Sequence, residues 1–146
     1  MHPRFRVSGT SALERLRRPA RGQLPFGARP DYTPGVADLQ HHLSGNVEQY
    51  VQRIKMHDDV DAPRRVEHFA EFRRYADAVA AAAALEREGW AVTVERRRLT
   101  QGRLIAAQTT TVDVETADRC TEQVFAAVAQ HKGRYEGWNA PVLRSL

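Results

Sequence analysis

From residue 65 onward the hydrophobic pattern changes period in a fixed order, and that order constrains the fold more than any single residue does. Residues 65–72 alternate: Val66, His68, Ala70 and Phe72 share one side, while Glu67, Phe69 and Glu71 share the other. A period of two is that of a strand with one mainly apolar face. Residues 75–88 are rich in alanine and favour a helix. Gly89 follows, the residue expected just past a helix end, with Trp90 folding back over the last turn. Residues 90–94 alternate again, 96–102 read as a hairpin turn with its flanks, and 103–112 are β-branched and strand-like. Asp113 is placed to cap a second helix whose stripe is Ala117, Cys120, Val124, Phe125 and Val128, spaced three and four apart. Gly133 is expected to end that helix, and 134–142 form a last short strand. The halves echo each other, Gly89-Trp90 in one and Gly133-Arg134-Tyr135 in the other. The resulting β-α-β-β-α-β order predicts an α+β domain of ferredoxin-like type, an antiparallel sheet with two helices on one face. The other sheet face must meet water, another element or a partner.

Upstream, Val36, Leu39, Leu43, Val47, Tyr50, Val51 and Ile54 fall at helical spacing. Ser44-Gly45-Asn46 interrupts them, which predicts two helices with Asn46 capping the second. One or two extra helices thus precede the sheet. The expected division is an arm over 1–34, a helical segment over 35–57 and the α+β domain over 58–146. The arm is basic: residues 1–30 hold seven arginines and one acid, Glu14, a net +6. The whole chain is +4, so the remainder carries −2. An arginine-rich, proline-interrupted stretch with few large apolar residues is expected to be disordered. The alternatives are a basic arm that contacts nucleic acid and an organelle transit peptide.

A chain of 146 residues has room for one domain and a tail. Its single cysteine, Cys120, excludes a disulfide framework and a cysteine-rich metal site, and fits a cytoplasmic setting. The longest apolar run, 78–85, is eight residues, against roughly 20 for a membrane span. Cys120 lies on an apolar stripe without a base nearby and reads as a buried structural thiol. His41 and His42 point about 100° apart on a helix and do not chelate one ion well, so they read as solvated or capping residues. Asp58, Asp59 and Asp61 lack the glycine and distal glutamate of an EF-hand loop and read as a solvated turn. No catalytic residue, metal ligand or cofactor site is assigned. His68, on the apolar side of its strand, must find hydrogen-bond partners. On the opposite side Phe69 stands between Glu67 and Glu71, an aromatic anchor with an acidic rim; such a surface repels phosphate and suits a protein partner. In Tyr135-Glu136-Gly137-Trp138, Gly137 supplies a backbone angle that other residues resist. Tyr135 and Trp138 there read first as pinning the last strand and second as a contact surface.

Val66-Glu67-His68-Phe69, the alanine-rich helix ending Leu85-Glu86-Arg87-Glu88-Gly89-Trp90, and Tyr135-Glu136-Gly137-Trp138 together resemble the RraB family, regulators of ribonuclease E. The resemblance covers about residues 52–142 and leaves out the basic arm. It implies a bacterial, cytoplasmic, ferredoxin-like protein without catalytic function, which binds the endoribonuclease and lowers its activity towards RNA. Characterised members are strongly acidic, whereas the body of this chain is only −2. The contact residues this implies are Glu67, Phe69, Glu71, Tyr135 and Trp138. His68, Gly89, Trp90, Gly133 and Gly137 carry the structural motif. The reading of a different class is direct RNA binding through the basic arm.

Overall fold

The structure, a computed structural model, describes residues 35–144 and the backbone of residues 4–6. The elements in chain order are β1 (Arg4–Arg6), α1 (Val36–Lys55), β2 (Arg64–Phe72), α2 (Tyr75–Arg87), β3 (Ala91–Arg97), β4 (Gln101–Thr110), α3 (Val114–Gln130) and β5 (Arg134–Pro141). The strands form one sheet in the order β1-β5-β2-β4-β3, and every neighbouring pair is antiparallel. The chain is therefore α+β, as its periods predict. The arm expected over 1–34 touches the described residues only at Arg4–Arg6, which pair with β5 as a strand. The rest of that expectation lies outside them.

The apolar side of β2 faces α2 and α3. Ala70 and Phe72 share a core with Ala78, Ala81, Ala82 and Leu85 of α2 and with Cys120, Val124, Phe125 and Val128 of α3. A second cluster, around Val66, Val112, Ala117 and Trp138, lies towards the other end of β2. Asp113 caps α3 as expected, its carboxylate accepting from the Thr116 N–H at 3.1 Å. At the end of α2, the Trp90 N–H bonds back to the Leu85 carbonyl, with Gly89 at φ 96. The end of α3 departs from expectation. Its left-handed residue is Lys132, at φ 64, and Gly133 comes one position later. Glycine is required there for room: a Cβ would meet the Phe72 ring at 2.3 Å. In β5, Gly137 sits at φ 126 beside the register shift between Phe69 and Ala70, where Phe69 faces Gly137 and Ala70 faces Tyr135. The extra residue of this bulge is Glu136.

The two helices expected over 36–54 are one. α1 runs unbroken through Ser44-Gly45-Asn46. Asn46 does not cap, because its side chain is used in long-range hydrogen bonds. The buried face of α1 is His42, Gly45, Asn46, Gln49 and Arg53, whereas Val36, Val47, Val51 and Ile54 are exposed. The helical period was legible, but the apolar stripe is split: Leu39, Leu43 and Tyr50 are half-buried, with Leu39 and Tyr50 against the core, the other four point outward, and the fully buried face is polar. Among the described residues, no helix is long and apolar enough to cross a membrane.

Candidate functional site

Beneath the helices, the polar tips of Tyr135 and Trp138 are tied to His68 and to α1, while His68 Nε2 and the Trp90 indole N–H are buried without a hydrogen-bond partner. His68 Nδ1 lies 2.8 Å from the Tyr135 hydroxyl, and the ring meets Trp90 edge-on with centroids 5.3 Å apart. The Trp138 indole N–H donates to Asn46 Oδ1 at 2.9 Å. The Asn46 amide donates in turn to Asp118 and Thr121 of α3. His42 packs edge-on against Tyr135, centroids 4.8 Å apart. It is buried rather than solvated or capping, because the inward face of α1 closes over that ring. Burial holds His68 down to about 3, so it stays neutral in the physiological range. Burial likewise pushes the Tyr135 hydroxyl up, and the Cys120 thiol with it.

A second buried cluster ties the end of α1 to the sheet. Arg53 and Arg64 both donate to the Asp58 carboxylate at 2.7 Å. They also reach the main-chain carbonyls of Ala140 and Pro141. Burial alone would raise the Asp58 carboxyl. Hydrogen bonds from Arg64, Arg53 and the Leu143 N–H outweigh it and hold the group below the usual carboxylate range. Asp58 is thus a buried anchor; the solvated turn expected over 58–61 holds only for Asp59 and Asp61.

The predicted contact residues fall on both sides of the sheet. Glu67, Phe69 and Glu71 project from the face away from α2 and α3, opposite Ala107, Ile105 and Arg103 of β4. The Arg103 guanidinium lies over the Phe69 ring at 5.0 Å. Phe69 itself is 8% exposed, and Glu67 and Glu71 are half-buried. Tyr135 and Trp138 lie on the other side, each 2% exposed. They present no surface to a partner, and their role in the described structure is to pin β5. Sequence reasoning missed Arg103 and Ile105, although alternation along 103–112 places both on the side of Phe69. It also missed Arg53, which nothing local distinguishes from the other arginines. No group of three or more metal-ligating side chains converges among the described residues.

The family model RraB, described as Regulator of ribonuclease activity B, matches residues 47–140. No curated protein matches the chain. The family match begins inside α1, one residue after Asn46, and ends one residue before the end of β5, so it takes in Arg53, Asp58, Arg64, His68, Tyr135 and Trp138 and nearly all of strands β2 to β5.

Proposed function

The chain belongs to the RraB family, and on that premise we propose that it is a non-catalytic regulator which binds a ribonuclease E-type endonuclease and lowers its action on RNA. The family description, a regulator of ribonuclease activity, carries this reading. The fold supports it: Asn46, Arg53, Asp58 and Arg64 are spent on holding α1 to the sheet, and this reading places the action on the binding surfaces. We read β5-β2-β4-β3 with its two helices as the ferredoxin-like split β-α-β arrangement. The contact surface we assign is the face bearing Glu67, Glu71 and Ile105, with Phe69 and Arg103 stacked between them. Such a protein works in the bacterial cytoplasm, beside its target.

The test is cleavage of a single-stranded RNA by purified ribonuclease E, with and without the full chain. Glu67→Arg with Glu71→Arg should weaken inhibition about tenfold, roughly 1.4 kcal/mol of binding, with an unchanged melting temperature. A nuclease indifferent to the parent chain overturns the regulatory reading. A double variant that inhibits as well as the parent overturns only the choice of face. The second reading, RNA binding by the arm, rests on the +6 carried by residues 1–30. It predicts direct RNA binding that falls steeply between about 50 and 200 mM salt.

A further inference from the structure

Three chain reversals meet at one end of the sheet: the β2–α2 turn, the β3–β4 turn and the α3–β5 turn. Between them lies a cleft of about 1040 Å³. Five cations line it, Arg73, Arg74, Arg96, Lys132 and Arg134, against three acids, Glu71, Asp77 and Glu136. Arg134 reaches Glu136 at 4.0 Å, and Arg96 lies over the Tyr75 ring at 4.0 Å. Arg73, Arg74 and Lys132 are exposed and make no ion pair with any described residue.

The fold does not ask for cations at these places. Arg74 is the N-cap of α2 and makes no side-chain capping bond. A serine or aspartate there would stabilise the helix by accepting from a first-turn N–H, and a positive charge opposes the helix dipole. Lys132 holds a left-handed angle, φ 64, that glycine adopts without strain. Its charge suits the end of α3, but its backbone does not suit lysine. Positions that break a local rule without a structural return are where a functional demand shows.

We propose that this cleft docks an acidic peptide segment, carboxylates on Arg73, Arg74 and Lys132, with an apolar side chain against Leu99. Leu99, 89% exposed, stands on the cleft wall. Glu71 and Asp77 decide between occupants. A nucleic-acid strand carries a phosphate at every step and would meet both acids. A peptide spaces its charges and turns main-chain N–H groups towards them. The inference rests on the regulatory reading only for which protein supplies the segment.

The experiment uses the full chain and a fluorescein-labelled twelve-residue peptide in which Asp and Glu alternate with Leu, followed by anisotropy at low salt. The parent should bind it, more weakly as salt rises. Arg73→Glu, Arg74→Glu and Lys132→Glu together should cost at least tenfold in affinity. A charge-matched control, Lys55→Glu with Arg87→Glu and Arg119→Glu, changes exposed cations elsewhere and should retain most of the binding. Both variants should melt cooperatively. No binding by the parent, or equal loss in the control, overturns the proposal. So does tighter binding of a single-stranded RNA that the cleft variant alone loses, which would make the cleft a nucleic-acid site. Peptide binding is read without the nuclease, so its failure leaves the regulatory reading standing. A chain that binds the peptide but leaves ribonuclease E unaffected separates the two the other way.

Discussion

A histidine deep in a sheet is the residue that most directly links this sequence to a measurable property. His68 is 1% exposed, and burial holds it near 3, whereas in the unfolded chain it titrates near its ordinary 6.5. Between those values the unfolded state binds a proton that the folded state refuses, so stability is full above 6.5 and falls as the pH drops towards 3. The expected slope is about 1.4 kcal/mol per pH unit in that window. Urea midpoints at pH 7, 6 and 5 should fall steadily for the parent. For His68→Phe, which keeps a ring against Trp90, they should fall much less; parallel curves would show that other groups carry the acid sensitivity. Asp58 titrates lower: its depressed carboxyl contributes stability that is lost only as the pH falls below about 3.8. The side of β2 on which His68 lies was legible from alternation. Its partner was not, because Tyr135 stands 67 residues away and is brought diagonally within reach, opposite Ala70, by the register and bulge of β5.

Among the elements, α1 shows where hydrophobic periodicity misleads. The spacing of Val47, Val51 and Ile54 marks a helix correctly, yet these residues are 50%, 44% and 46% exposed. The face that docks is held by directed bonds from Asn46 and Arg53, with Leu39 and Tyr50 packed at its flanks. A moment calculated from hydrophobicity cannot find such a face, because the value of a buried amide depends on partners supplied by α3 and β5. Two variants separate the readings. Asn46→Ala leaves the Trp138 indole N–H buried without an acceptor and breaks the ties to Asp118 and Thr121, a loss of about 2–4 kcal/mol. Val47→Ser with Val51→Ser should change stability by no more than about 0.5 kcal/mol each. Urea unfolding at pH 7 compares them directly, and the opposite ranking would mean that α1 is held by its apolar stripe after all. β2, β4, β5 and the other two helices were easier to read, since each buries the face its alternation or stripe marks.

For the whole molecule, the question is whether α1 decorates the sheet or completes it. The expected division set 35–57 apart from a domain beginning at 58. The contacts run across that line. Arg53 donates to Asp58 and to the carbonyls of Ala140 and Pro141, Asn46 receives Trp138, and His42 covers Tyr135 and Phe125. The family match also begins within α1, at residue 47, rather than after it. Without α1, Asp58 and Arg64 would remain as a buried pair lacking a member, and removing one partner of such a cluster costs about 3–5 kcal/mol. Adding an orphaned indole and two uncovered aromatic rings brings the loss to the scale of a whole domain's stability, about 5–15 kcal/mol. A chain beginning at Asp58 should therefore keep strand and helix signals in far-ultraviolet circular dichroism but lose the near-ultraviolet signal of Trp138 and the sharp urea transition. It should also bind a hydrophobic dye that the full chain excludes. A sharp transition within about 1 kcal/mol of the full chain would make α1 an appendage and restore the boundary at 57; otherwise the folding unit starts with the helix, and any regulatory surface on the sheet depends on it.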